Sequence, residues 1–299
     1  MRKVAFLLHL WDDVPMLDPA ALVDSYSNLV PALLLITLIV WETVGPCFRY
    51  FVKRPTKRLR HGAINLGLGI LNAIVIGVIF VTLWEIAVKW SVKADFGILR
   101  WVELSPWIEG LIAVLIFDCF TYWWHRFNHE VPFLWRFHRV HHSDAEMDVT
   151  TANRFHTGEI AISAVLRIPL LFLLGADLWM LAFYELLMFP VVQFHHANIR
   201  LPDAIERGFR KVFASPVMHK IHHSDLMEET NSNFTSLFSI WDRIFGTYRM
   251  RKHFQMIQLG LKEFRKPEDE EFFGMLKIPF RNAKGALSED NRIETEREL

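Results

Sequence analysis

Long apolar runs alternate with short polar stretches along the chain, and the lengths of those runs predict its architecture. A helix crossing the roughly 30 Å of bilayer hydrocarbon needs about 20 apolar residues. Leu29 to Phe48 reaches that length with Glu42 as its only charge. Ala63 to Trp84 is uncharged until Glu85 and Lys89, whose long side chains can reach an interface. Trp107 to Trp124 is a third run, with Glu109 at its start and Asp118 inside. Ile160 to Val192 breaks at Gly175, Ala176 and Asp177 into two runs of about 15 residues, each near 22 Å as a helix and so short of a span. With Arg167, Pro169, Glu185 and Pro190 interrupting them, these runs predict a kinked or re-entrant helical hairpin whose ends emerge on one side. The expected fold is therefore all-α, a multi-span integral membrane protein with a histidine-rich helical cap. Its parts are an N-terminal segment (1–28), two transmembrane helices with a basic loop (29–105), a region holding the third run, the hairpin and the cap (106–250) and a C-terminal tail (251–299).

Composition agrees. Hydrophobic residues make up 52% of the 299, with 25 Phe and 11 Trp, above the roughly 45–50% of soluble domains. Lys plus Arg (33) equals Asp plus Glu (33), so no bulk field draws in nucleic acid. The two cysteines, Cys47 and Cys119, exclude a disulfide framework or a cysteine-rich zinc ribbon. Arg49, Lys53, Arg54, Lys57, Arg58 and Arg60 lie between the first two runs and mark that loop as cytoplasmic. Counted from there, the chain after Trp124 and after the hairpin is cytoplasmic too, and the N-terminus faces outside. Met1 to Trp11 has no small-residue cleavage site, so no signal peptide is expected. The charged last dozen residues read as a solvated tail.

Histidine changes the picture from a membrane protein to one with chemistry. Five of the 18 residues from His125 to His142 are His, where 14 in 299 would place about 0.8. His125 and His129 are spaced i, i+4, on one helix face. Asp118, two turns earlier on that face, is placed to hydrogen-bond a ligating ring and fix its tautomer. The pattern H-x-x-H-H occurs twice, at His138, His141, His142 and at His219, His222, His223. On a helix the i and i+3 rings share a face and the i+4 ring is offset from the i+3 ring by about 100°, so one box can serve two metals side by side. Glu130 follows His129 without the second histidine of a zinc protease motif, and no Glu-x-x-His pair of a soluble di-iron bundle is present. An imidazole-rich, carboxylate-poor set suits a dinuclear iron centre, although spacing alone does not separate iron from zinc.

The stretches DCFTYWWHRFNHE, LWRFHRVHHS, FHHAN, SPVMHKIHHS and WDRIFGTY, between Asp118 and Tyr248, resemble the membrane fatty acid hydroxylase and sterol desaturase family. Within it the pattern is similar to the bacterial sterol-desaturase-like branch and to alkylglycerol monooxygenase. The resemblance implies a non-haem di-iron centre that uses O2 and externally supplied electrons to hydroxylate or desaturate a lipid C–H bond. The implied ligands are His125, His129, His138, His141, His142, His196, His219, His222 and His223. His195 is an extra ring beside them. NRFHTGE resembles the family's His-Pro-x-Glu element, which implies a catalytic role for His156 and Glu159, with Thr157 where the family has proline. Asn233, Asp242 and Arg243 are expected to support the histidine helices, with Trp241 and Phe245 packed beneath. His9, His61 and His253 fit no box and are expected at solvent or headgroups.

No haem domain, flavin fingerprint or cysteine cluster is legible, so electrons would come from a partner protein or a diffusible reductant. The implied partners are the membrane and a lipid substrate (sterol, fatty acyl or ether lipid). Two other classes fit the same residues. A zinc-dependent membrane lipid hydrolase would use the imidazoles to activate water, and a non-catalytic metal-binding or transport protein would line the midplane of several spans with polar groups.

Overall fold

The structure, a computed structural model, describes residues 18–282. Each apolar run becomes helix. Helix α1 (Pro19–Tyr26) is bent by 40° from α2 (Leu29–Val44). After the basic loop come α3 (Pro55–Val75) and α4 (Val81–Ala94), joined through a π-helical turn at Ile76–Phe80. Then follow α5 (Pro106–Glu130), α6 (Pro132–His142), α7 (Thr157–Leu174), α8 (Leu178–His196), α9 (Asp203–Phe209) and α10 (Pro216–His222). Among the described residues there is no strand, only two isolated bridges, Phe213 with Phe238 and Ser224 with Leu259. Among the described residues, four helical stretches are long and apolar enough to cross a membrane, five if α1 and α2 form one bent span.

Two expectations about the spans change. The run from Leu29 ends as helix at Val44, so α2 alone has 16 residues and reaches crossing length only together with α1. The hairpin is longer than its apolar runs suggest. Helices α7 and α8 have 18 and 19 residues, about 27 and 28 Å, and each is of spanning length. Pro169 and Pro190 lie inside these helices without ending them. A proline removes one backbone hydrogen bond, and packed membrane helices tolerate that loss because neighbours re-satisfy the freed group. The charged and histidine residues at the ends, left out of the apolar counts, complete both helices.

One buried cluster, including Trp84, Phe117, Leu171, Leu181 and Tyr184, holds α4, α5, α7 and α8 together. At the end of the bundle far from the histidines, Gly175 closes α7 with φ 71°. A Cβ added to Gly97 (φ 134°) would stand 2.3 Å from the Gly175 Cα, so two backbones touch where only glycine fits. Arg100 bonds Asp177 at 2.8 Å beside this contact. Gly97→Ala is expected to destabilise the bundle by about 1–3 kcal/mol, the usual cost of overpacking. Thermal unfolding of the detergent-solubilised protein measures it, and a parental melting point would show that the two backbones can separate freely.

The polar remainder folds against the opposite end. Buried Arg139 donates to the carbonyls of Ile278 (2.5 Å) and Arg281 (2.7 Å), and its guanidinium lies 5.0 Å from the Phe264 ring centre. These contacts strap the segment after Phe254 over α6. Of the three histidines outside the boxes, His9 lies outside the described residues and His253 is exposed. His61 is a correction. Its side chain is only 8% exposed, with Nε2 at 3.0 and 3.1 Å from the two Asp144 oxygens. Its place in the second turn of α3 brings it against Asp144 just beyond the end of α6, not to a headgroup.

Candidate metal centre

The bundle ends converge on two adjoining nests of imidazoles. In the first, one nitrogen from each of His125, His129, His138, His142 and His222 lies within 4.8 Å of all the others. In the second, His141, His196, His219 and His223 meet the same condition. Two nitrogens on opposite sides of a metal, each about 2.0–2.1 Å away, stand about 4.2 Å apart, so both nests have the right size for one ion. The nests adjoin through the His142 and His223 rings, stacked with centroids 4.4 Å apart.

The two boxes divide their rings reciprocally. His138 and His142 enter the first nest and His141 the second, whereas His219 and His223 enter the second and His222 the first. The expected split, with i and i+3 together, is therefore corrected. At 3.6 residues per turn, i and i+4 are about 40° apart and i and i+3 about 60°, so the outer pair stays together and the middle ring turns away.

Hydrogen bonds on the outer nitrogens decide what the inner ones present. Nδ1 of His125 donates to the Phe234 carbonyl at 2.6 Å, that of His222 to Ser232 at 2.7 Å, and that of His196 to Val192 at 2.7 Å. His138 Nδ1 donates to Glu159 Oε1 at 2.8 Å. A carbonyl only accepts, so Nδ1 carries the proton and Nε2 of the neutral ring is a bare lone pair. Those lone pairs face one another. His125 Nε2 is 3.1 Å from His138 Nε2 and from His222 Nε2, and His196 Nε2 is 3.1 Å from His141 Nε2 and 3.0 Å from His219 Nε2. Both nitrogens of His129 and His142 have no hydrogen-bond partner. Lone pairs gathered this closely repel, and a cation between them reverses the sign. The donor set therefore fits a metal ion in each nest. Burial, reinforced by the neighbouring rings, pushes the imidazoles of His141, His142, His219 and His223 well below their usual pKa, and burial holds His222 at about 3. The rings stay neutral and able to ligate.

The other sequence candidates take different places. Asp118 does not reach a histidine. Fully buried, it accepts from Trp241 Nε1 (2.8 Å), the Phe238 amide (3.0 Å) and the Tyr184 hydroxyl (3.3 Å), and so ties α5 to α8 and to the segment beyond α10. Asp118→Ala is expected to cost about 1–3 kcal/mol for each donor it orphans, read as a large drop in melting temperature. A variant that melts like the parent would show that water replaces the carboxylate there.

Asn233 also touches no ring, yet it sits between two residues that do. It adopts φ 54°, its amide donates to the carbonyls of Met218 (3.0 Å) and Arg249 (2.8 Å), and it accepts from the Arg249 amide. That conformation aims the flanking Ser232 and Phe234 carbonyls at His222 and His125. Asp242 accepts from the Phe234 amide at 2.8 Å and the Thr235 amide at 3.2 Å, anchoring the same stretch. Trp241 bonds Asp118, and Phe245 stacks on Tyr122 at 5.0 Å, while Arg243 turns to the Ser239 and Arg210 carbonyls rather than to a histidine helix.

His195 lies in neither nest. Its ring is 3.8 Å from the His219 ring centre and lines the adjoining cavity. His156 is likewise apart from both. Its Nδ1 accepts from the Gly158 amide (2.9 Å), capping α7, and its Nε2 faces the Leu276 carbonyl at 3.3 Å. Thr157 occupies the first helical position, where proline is favoured, and instead bonds Asn72 through its hydroxyl at 2.8 Å. Glu159, one turn on, is the member of that stretch that reaches the nests.

Residues that sequence reasoning passed over form a buried polar layer behind α6. Asp144 bonds His61 and Thr151, and Arg154 donates to the Val140 carbonyl (3.0 Å) and to Ser143 Oγ (2.8 Å). Buried Lys220 donates to the Ala197 carbonyl at 2.5 Å. A signal was available, since both boxes continue as H-H-S-D, at 141–144 and 222–225.

A cavity of about 730 Å³ opens from the nests between α7 and α8, lined by His125, His138, His141, Phe155, Phe189 and Val192 among others. An apolar hollow that ends on convergent polar groups is the usual form of a small-molecule site.

Residues 110–247 match the fatty acid hydroxylase family. Among curated proteins, the chain is similar to ornithine lipid hydroxylase of Rhizobium tropici, 31% identical over 150 residues, which are 50% of this chain and 44% of that one. It is also similar to alkylglycerol monooxygenase of Homo sapiens, 28% identical over 152 residues (50% and 32%). Cholesterol 25-hydroxylase of Rattus norvegicus is 29% identical over 171 residues (53% and 53%). The match thus spans about a third to a half of the length of these relatives. No solved structure matches the chain.

Proposed function

We propose, from the premise that residues 110–247 form a fatty acid hydroxylase domain, that the protein is a membrane-bound di-iron oxygenase that hydroxylates or desaturates a C–H bond of a lipid. The single observation behind this reading is that unprotonated imidazole nitrogens face inward in two adjoining nests at the mouth of an apolar cavity. The ligands to one iron are His125, His129, His138, His142 and His222, and to the other His141, His196, His219 and His223. When bound, the pair supplies activation of O2 and removal of hydrogen from an alkyl carbon. Iron is chosen over zinc on the strength of the relatives, whose names are those of lipid hydroxylases and monooxygenases.

The protein's own part is geometric and electrostatic. Glu159 and the carbonyls of Phe234, Ser232 and Val192 retain the Nδ1 protons, so the rings cannot rotate their lone pairs away. Phe155, Phe189 and Val192 line the cavity where an alkyl chain would lie against the nests and keep bulk water out. Electrons come from an external donor, a partner protein or a diffusible reductant. A cytoplasmic face for the nests is supported by the basic residues before and within the start of α3, since α3 carries Lys57, Arg58 and Arg60 in its first two turns and its His61 reaches Asp144 just beyond α6.

Metal analysis of the purified protein, paired with lipid mass spectrometry of cells expressing either the parent or His141→Ala, tests the reading. Two irons per chain and a lipid product heavier by one oxygen or lighter by two hydrogens, absent in the variant, is the expected result. Retained zinc with hydrolysed lipid would replace it with the hydrolase reading. Bound metal with no lipid change under aerobic growth would leave a binding protein.

A further inference from the structure

The cavity has a second polar end. Arg167 on α7 and Glu185 on α8 both line it, paired at 2.6 Å between Nη1 and Oε1, and the Arg167 guanidinium lies 5.8 Å from the Trp84 ring centre. Ser27 and Asn28, at the break between α1 and α2, line the same space. Arg167 follows Glu159, which bonds the nest residue His138, by eight residues, and Glu185 precedes His196 by eleven, so the pair lies about 12–17 Å from the nests at 1.5 Å per residue. That is near the middle of both helices. Glu159 is already engaged by His138, which leaves these two as the acidic and basic side chains of the hairpin with no assigned task. Ionisable groups at such depth are costly and mark functional sites.

We propose that the Arg167–Glu185 pair is a polar subsite that holds the uncharged hydroxyl end of a long-chain amphiphile and sets which carbon reaches the nests. The proposal rests on the reading of the nests as the oxygenating centre. The pair is neutral as a unit. A hydroxyl accepts from Arg167 and donates to Glu185 without adding charge, whereas a carboxylate would bring an unbalanced charge into an apolar wall beside Glu185. An extended alkyl chain of ~1.5 Å bonds advances ~1.25 Å per bond, so the reacting carbon lies roughly 10–13 carbons from the hydroxyl.

Photolabelling of the full chain in lipid nanodiscs tests this without turnover. The probe is a 1-hexadecanol analogue with a diazirine at carbon 11 and a terminal alkyne, and labelled peptides are mapped by mass spectrometry. The parent is expected to be labelled at the nest end of the cavity, around Phe155 and Val192. 1-Hexadecanol should compete about tenfold better than hexadecanoate, because a site built to bond a hydroxyl rejects the wrong head group. Glu185→Gln leaves Arg167 unbalanced and is expected to invert that preference. Arg167→Met with Glu185→Met removes both charges at once, which a fold tolerates far better than losing one, and is expected to scatter the label. Equal competition by the acid in the parent, or unchanged labelling in the double variant, would overturn the subsite. Labelling as expected in a protein that oxygenates nothing would leave the subsite standing and remove the oxygenase reading; an oxygenating protein with indifferent labelling would do the reverse.

Discussion

His138→Ala combined with His142→Ala is expected to purify with one metal ion per chain in place of two and, on the proposed function, to lose lipid oxidation by about 10³-fold. Both rings belong to the first nest, leaving it His125, His129 and His222, while the second nest keeps all of His141, His196, His219 and His223. Metal-ion catalysis contributes several kcal/mol at the transition state, and each 1.36 kcal/mol is about tenfold in rate, so loss of one metal from a pair that acts together removes most of the activity. His219→Ala with His223→Ala should give the same stoichiometry by emptying the other nest. The informative variant is His141→Ala. It comes from the first box, yet it is expected to act additively with the His138 and His142 pair, because its ring serves the second nest. Were each box to serve one metal, His141→Ala would change nothing further once His138 and His142 were gone. Elemental analysis of the three variants and their combination reads the difference directly.

Helical spacing keeps the outer pair of each box together, but which nest each ring enters could not be read from spacing, and the reason is physical. The enrichment of histidine, the i, i+4 pair on α5 and the repeated box are local, and they point to metal chemistry before any fold is known. Which rings share a nest depends on how α6 and α10 meet across the bundle, a contact between segments some 80 residues apart. Small angular differences then decide the partition, since i+3 and i+4 lie on either side of the same face. Asp118 illustrates the same limit. Helical periodicity correctly aligned it with His125, but a residue two turns away points at a different level of the bundle, and there Trp241 and the Phe238 amide were waiting. The apolar runs understate the hairpin because its ends are built from polar, charged and histidine-bearing stretches, Thr157 to Glu159 and Gln193 to His196, which hydropathy does not count as span. His61 was lost for the complementary reason. A histidine in a basic segment reads as solvated until tertiary packing brings Asp144 onto it.

Glu159→Gln carries the second large effect, and it separates two roles that the sequence left together. Glu159 Oε1 accepts from His138 Nδ1 at 2.8 Å, and its other oxygen is buried without a hydrogen-bond partner. As a carboxylate it fixes the His138 tautomer, with the proton outside and the lone pair toward the nest. The amide of glutamine can accept through its oxygen, more weakly, or turn its NH2 to Nδ1. The second arrangement moves the ring proton to Nε2 and blocks that nitrogen as a ligand. A metal ion in the first nest is therefore expected to bind about 10–100-fold more weakly, the usual cost of losing a group that orients a ligand, while the second nest is unchanged. Titration with a competing chelator gives both affinities, and glutamine is close enough in shape that the fold should survive. If Glu159 instead has only the catalytic role that the resemblance implies, the variant will keep its metal at parental affinity and lose rate alone. The 2.8 Å bond to a ring that lies in the nest argues for weakened binding, and His156, whose two nitrogens are engaged by backbone groups away from the rings, is expected to show neither effect when replaced by asparagine, which can still cap α7.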